Sequence, residues 1–188
     1  MLSRRLFVAG SALATLAGGL PAAAEPVLND DGLYTEPWFV ESFLELADDV
    51  ATAAKGGKRL AVMWEQRGCP FCRETHLVNL ARADIADYIK TRFDVIQLNI
   101  YGSREITDFD REKLAEKAFA AKYGVRFTPT FQFFPDNAAG LDKKPPRQRE
   151  VLRSQGYLLP DDFKRMFTFV AERAYEREPL RDYLRKQS

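Results

Sequence analysis

The chain's two cysteines stand three positions apart, in Cys69-Pro70-Phe71-Cys72. Thiols at this spacing can close a disulfide and reopen it by exchange, or hold a soft metal ion. The flanking residues favour exchange. Leu60-Ala61-Val62-Met63-Trp64 is a short apolar run suited to a strand buried on both faces, and Glu65-Gln66-Arg67-Gly68 is a polar break after it. Pro70 suits the first position of a helix, where its missing N–H has no intrahelical partner to lose. Cys69 therefore falls at the helix N-cap. Unpaired backbone N–H groups and the positive end of the helix dipole favour a thiolate there, and the thiolate is the attacking species in exchange. Cys72, one turn further in, is within reach and more covered, which fits a resolving thiol. Arg67 and Arg73 flank the pair and can either support the thiolate or stay solvated.

Other uses of the pair find less support. An inert bridge across so short a loop removes little unfolded-state entropy and makes a weak staple. A zinc site lacks ligands, because there is no second Cys-x-x-Cys and His76 is the only histidine. A copper(I) metallochaperone stays open as an alternative, since two thiolates suffice and His76 could add a third donor. A docking domain whose disulfide is never turned over stays open too. His76, four residues past Cys72 on the same helical face, reads as a surface side chain able to tune that thiol. Asp108-Phe109-Asp110 lacks the glycine and spacing of an EF-hand loop, so no metal site is assigned.

Residues 1–24 read as an export signal. Arg4-Arg5 supply the charge, residues 6–20 an apolar stretch too short for a membrane span, and Ala22-Ala23-Ala24 a small-residue cleavage site. The arginine pair, with Phe7 two places on, resembles a twin-arginine signal, which carries proteins already folded; an ordinary secretory signal is the alternative. Both lead out of the cytoplasm, and a periplasmic location is expected. Lys+Arg number 28 against 27 Asp+Glu, and loss of Arg4 and Arg5 with the signal leaves 26 against 27. Such a balance gives no hint of nucleic acid or membrane surface as a partner. The basic run Lys143-Lys144-Pro145-Pro146-Arg147-Gln148-Arg149 is accordingly expected to be an exposed loop or a docking patch.

Residues 25–36 are polar and read as a linker. Phe39, Phe43, Leu46, Ala47, Val50 and Ala54 make one stripe of a helix beginning at Pro37 and stopped by Gly56-Gly57. A first central strand follows over residues 59–64. Residues 73–88 predict a helix kinked near Asp84, with Leu77, Leu80, Ile85 and Ile89 inward. Residues 93–100 predict a second strand, 101–110 a loop, and 111–123 a helix closed by Gly124. Phe131-Gln132-Phe133-Phe134 is a third strand, and residues 135–147 a long polar connection. Residues 150–155 are a more polar fourth strand, and 161–175 a last helix with Phe163, Met166, Phe167 and Val170 on one face. Pro179 sets off a basic tail within residues 178–188. This order predicts an α/β domain over residues 37–177, with parallel strands first and an antiparallel hairpin last.

Cys69-Pro70-Phe71-Cys72 after one strand, with Val125-Arg126-Phe127-Thr128-Pro129-Thr130 before another, resembles the thioredoxin superfamily. The combination of residues 65–72, His76, the Thr107-Asp108-Phe109-Asp110 loop and Gly156-Tyr157 is similar to the SoxW-type periplasmic thioredoxins. The resemblance implies a thioredoxin-like fold: a central mixed sheet of four to five strands flanked by helices, with the cysteine motif at a helix N-terminus opposite a cis-proline, Pro129. It implies that Thr128 offers backbone groups to an extended substrate, beside Pro70 and Phe71. It implies no cofactor other than the Cys69/Cys72 disulfide. One position departs from the pattern. In thioredoxin itself a buried aspartate six residues before the first cysteine assists proton transfer to the second. Here that position is Met63, and Glu65 is the nearest carboxylate in sequence.

The function expected from the resemblance is thiol-disulfide exchange outside the cytoplasm, in the direction of a protein-disulfide reductase. Its implied partners are disulfide-containing periplasmic proteins and a membrane electron donor of the SoxV or CcdA kind, in sulfur oxidation or cytochrome c maturation, with the protein acting as a monomer. Pro70-Phe71 contains no histidine or other cation, so the motif lacks one device that makes a potent oxidant. A DsbA-like oxidase is the opposite expectation.

Overall fold

The computed structural model describes residues 26–186, and the expected export signal lies outside them. In chain order the elements are β1 (Val27–Leu28), β2 (Tyr34–Thr35), α1 (Leu46–Lys55), β3 (Arg59–Glu65), α2 (Pro70–Glu74), α3 (Ala83–Arg92), β4 (Phe93–Asn99), β5 (Glu105–Thr107), β6 (Lys113–Ala115), α4 (Glu116–Tyr123), β7 (Thr130–Phe133), β8 (Leu152–Gln155), α5 (Pro160–Ala171) and α6 (Leu180–Arg185). A π-helical stretch, Thr75–Leu80, continues α2 directly.

β3 is the axis of the sheet. Every residue of its Arg-Leu-Ala-Val-Met-Trp-Glu sequence is buried, as an apolar run without alternation requires. The strand order is β4-β3-β7-β8. β4 runs parallel to β3, pairing Arg59 with Phe93 and Glu65 with Asn99, and β7 runs antiparallel, pairing Met63 with Phe131 and Trp64 with Thr130. β8 closes the edge antiparallel to β7. The mixed sheet with its terminal hairpin is the one the element order predicts.

Because strand side chains alternate in direction, β3 serves two cores at once. Leu60, Val62 and Trp64 pack with Val50 of α1 and Phe119 and Tyr123 of α4. Ala61 and Met63 face the other way, among Ile85 and Ile89 of α3 and Phe163, Met166, Phe167 and Val170 of α5. The second core is an aromatic cluster in which Phe167 meets Phe93, Phe131, Phe133 and Phe163 edge-on, at centroid distances of 5.0–5.7 Å. Edge-on is the arrangement that ring quadrupoles favour.

Several elements differ from the sequence reading. Residues 26–36 are not a linker: β1 and β2 form an antiparallel hairpin, and Leu33 and Glu36 are buried. The first helix begins at Leu46 rather than Pro37. Residues 37–39 instead form a turn, and the chain then passes β4 and β5, with Val40 N–H donating to the Val95 carbonyl (2.8 Å) and the Leu44 carbonyl accepting from Thr107 N–H (2.9 Å). Phe43, placed on the inner stripe by a helical period, is 98 % exposed. Leu77 is likewise exposed, because the π-helical turns shift the buried face to Thr75, His76, Asn79 and Leu80. Within the expected loop and the start of the expected helix after it, β5 and β6 form a small antiparallel pair, leaving α4 only eight residues. Beyond Pro179, α6 packs on the domain, with Tyr183 against Phe169 at 5.2 Å.

Candidate functional site

Glycine at 68 adopts φ +73°, a left-handed conformation that costs other residues energy, and this turn ends β3 and starts α2. Cys69 follows in extended conformation as the N-cap of α2, with Pro70 at the first helical position. The Cys72 backbone N–H donates to Cys69 Sγ at 3.1 Å, so the sulfur takes the role that an oxygen side chain usually takes in capping. Cys69 and Cys72 are joined in a disulfide, with Cα atoms 5.2 Å apart. Both are buried, Cys69 the less so.

Opposite the motif, the Thr128–Pro129 peptide is cis, and the Thr128 carbonyl oxygen lies 3.5 Å from Cys69 Sγ. The Pro129 carbonyl accepts from Gly156 N–H at 2.8 Å, fixing the turn to the start of the next loop. That loop is pinned to the helix after the cysteines by Asn79, which is fully buried. Its Nδ2 donates to the Leu158 carbonyl and its Oδ1 accepts from Tyr157 Oη, both at 2.9 Å. Tyr157 stacks on Phe71 at 6.3 Å. Phe71, between the two cysteines, Phe127, next to Thr128, and Leu159, in the loop pinned by Asn79, remain 57 %, 64 % and 69 % exposed and offer apolar surface on these three segments.

Beneath Cys72 lies a polar cluster that the sequence reading placed incompletely. Glu65, at the end of β3, is 1 % exposed and borders the same cavity of about 260 Å³ as Cys69 and Cys72. His76 corrects the expectation of a surface histidine: it is wholly buried. Its Nδ1 is 2.8 Å from Glu36 Oε1, and its Nε2 is 3.2 Å from Glu65 Oε1. Burial by itself would lower the His76 pKa, but hydrogen bonds to Glu36 and Glu65, reinforced by the charge of both carboxylates, raise it to about 9. His76 is thus an imidazolium at neutral pH. Gln97 of β4 donates its side-chain amide to Glu65 Oε2 and to the Tyr34 carbonyl. Met63, at the position of thioredoxin's aspartate, points into the aromatic core instead.

Glu36, Gln97 and Asn79 were missed as site residues. A buried carboxylate and a buried amide show as such only when a partner is known, and here those partners are 40, 32 and 78 or more positions away. The alternative in which His76 adds a third copper(I) donor fails on geometry, because both its ring nitrogens are engaged by carboxylates. Arg67 is tied to the hairpin turn by its Nε, which donates to the Asp31 carbonyl at 2.8 Å. Arg149, counted with the basic run, is buried: its Nη1 and Nη2 donate to Asp108 Oδ2 at 2.7 Å and Asp110 Oδ2 at 2.8 Å.

A cysteine pair closed as a disulfide at the head of a helix, beside a cis-proline turn at the same end of a mixed sheet, supports a thiol-disulfide oxidoreductase. The family is also shown by sequence: a model of the thioredoxin-like domain matches residues 46–171, and the chain belongs to that family. Among solved structures, the chain is similar to a thioredoxin-fold protein from Helicobacter pylori, with 20 % identity, TM-score 0.54, and 77 % of this chain and 95 % of that one covered. It is also similar to a thioredoxin from Thermus thermophilus, with 20 % identity, TM-score 0.46, and 69 % and 83 % covered. Comparison with curated proteins finds no match.

Proposed function

We propose that the protein is a protein-disulfide reductase of the SoxW type, working in the periplasm after export by the twin-arginine route. The observation that carries the exchange reading is the placement of Cys69 Sγ at the N-cap of α2, 3.5 Å from the Thr128 carbonyl. An extended partner segment laid against Thr128 and the apolar surface of Phe71 presents its disulfide to that sulfur. In the reduced protein the Cys69 thiolate attacks one sulfur of the partner's disulfide, and the other sulfur leaves as a thiolate. Cys72 then gives up its proton, to Glu65 across the shared cavity, and attacks Cys69 Sγ. The Cys69–Cys72 bond forms, the mixed disulfide breaks, and two electrons have passed to the partner. A membrane dithiol donor of the SoxV or CcdA kind restores the reduced pair. The acceptors are disulfide proteins of sulfur oxidation or cytochrome c maturation.

The reductive direction rests on Pro70-Phe71, which places no cation between the cysteines to stabilise the dithiol form. Equilibration with thiol buffers and alkylation of free thiols tests it. A potential near about −270 mV supports the reductase, and one near about −120 mV makes the protein an oxidant instead.

A further inference from the structure

Three elements distant in sequence meet at His76: the segment after the N-terminal hairpin through Glu36, the end of β3 through Glu65, and the helix that begins at the cysteines. Hairpin residues Gly32, Leu33 and Tyr34 also wall the cavity into which Glu65, Cys69 and Cys72 open. At about 260 Å³ it has room for water, which needs only about 15 Å³ and a few polar partners. Resting on the reductase reading above, we propose that His76, clamped by Glu36, is a positioning residue that holds the Glu65 carboxylate at the resolving side of the dithiol, which makes the N-terminal hairpin a working part of the redox site.

The argument is one of charge and reach. Glu65 has few neighbours able to fix it: Gln97 anchors Oε2 from β4, and His76 anchors the carboxylate from the helix. A single buried carboxylate without a cation is costly. His76, bonded to Glu65 at Nε2 and to Glu36 at Nδ1, supplies that cation. The groups facing His76 are Glu36 and Tyr34 from the hairpin segment and Glu65 from β3, while Cys72 and Arg73 line the cavity. Both ring nitrogens are committed, so His76 does not itself reach the thiols. It acts through Glu65, which takes the Cys72 proton when Cys72 attacks Cys69 Sγ.

The test separates the two chemical steps, using oxidised glutathione as the disulfide. Attack by Cys69, which releases the first glutathione, is followed as mixed-disulfide formation in a Cys72→Ser background, and resolution as release of the second glutathione by the intact cysteine pair, under saturating oxidised glutathione and each across pH 5 to 10. His76→Gln removes the cation, and Glu36→Gln keeps the hydrogen-bonding shape at Nδ1 while removing one charge. Expected for both variants is attack within about twofold of the unsubstituted protein, with resolution slowed by about tenfold or more and its pH profile displaced. Resolution that keeps its rate and profile in Glu36→Gln and His76→Gln would overturn the proposal and leave the reductase standing. Equal slowing of both steps with unchanged pH profiles would also overturn it, as the mark of a structural role only. Failure of the unsubstituted dithiol to attack at all would overturn the reductase reading and this proposal with it.

Discussion

Cys69 Sγ and the Thr128 carbonyl oxygen sit 3.5 Å apart, joined across 59 positions of sequence by the pairing of β3 with β7. Trp64 opposite Thr130 sets that register, and it puts the cysteine turn and the proline turn at the same end of the sheet. The two sulfurs are not equivalent there. Cys69 carries the N-cap position and the Thr128 contact, whereas Cys72 is the more covered. Cys69→Ser is therefore expected to reduce exchange with a protein disulfide to background. Cys72→Ser is expected to accumulate a mixed disulfide through Cys69, visible by intact mass under non-reducing conditions. Accumulation in the Cys69→Ser protein instead would reverse the assignment of attacking and resolving thiols.

Buried His76 links stability to pH in a direction that can be worked out. Its folded-state pKa, about 9, lies above the ordinary value of 6.5. The stabilisation is fully present below about pH 6.5 and is lost as pH rises through about 9. A difference of this size corresponds to roughly 3–4 kcal/mol at most. Urea unfolding at pH 6 and pH 9.5 is expected to show the protein less stable at the higher pH. His76→Gln should be destabilised at pH 6 and should lack most of that difference between the two pH values.

The core of the fold was legible in the sequence because its signals are local. An apolar run bounded by glycine marks β3, and the 3.6-residue period of Phe163, Met166, Phe167 and Val170 marks α5, whose residues lie on one buried face. The cysteine motif was legible for the same reason, since Pro70 and Gly68 write the turn and the cap into adjacent positions. What failed was non-local. Asn29, Asp30, Asp31 and Gly32 have the composition of a linker, yet they build the turn of a hairpin whose following residue, Glu36, is buried only because His76 is there to receive it. Phe43 fits a helical stripe, but pairing of Val40 with β4 and of Leu44 with β5 holds this segment out of a helix, and pairing overrides propensity.

That contrast predicts opposite outcomes for two phenylalanines that look alike in sequence. Phe167 is 1 % exposed and touches four other rings, so Phe167→Ala removes a buried ring and leaves a cavity. The expected cost is about 3–5 kcal/mol in urea unfolding. Phe43→Ala, at a side chain 98 % exposed, is expected to stay within about 0.5 kcal/mol. Equal losses at both positions would contradict the path of residues 37–45.

The ion pairs divide in the same way, by what surrounds them. Asp108 accepts from Tyr123 Oη at 2.7 Å, from Arg149 Nη1 at 2.7 Å and from the Phe109 backbone N–H at 2.7 Å, with its side chain and that of Arg149 almost fully buried. Burial and the Asp108 charge push the Tyr123 hydroxyl pKa well above its ordinary value, while Asp110 is held below the usual carboxylate range: burial alone would raise it, but bonds to Lys122 and Arg149 overcome that. Asp108→Asn keeps the shape and removes the charge, leaving the buried Arg149 guanidinium with Asp110 as its remaining carboxylate partner. Breaking a buried pair from one side is strongly destabilising, and a loss of about 3 kcal/mol is expected. Lys113 and Glu105 make a contact of similar length, 2.8 Å, but both side chains are about 60 % exposed. Water screens them and their ordering costs entropy, so Lys113→Ala is expected to leave the urea midpoint almost where it is. Measured side by side in urea at pH 7, the two variants separate burial from distance as the cause: if contact length alone set the energy, their losses would be equal.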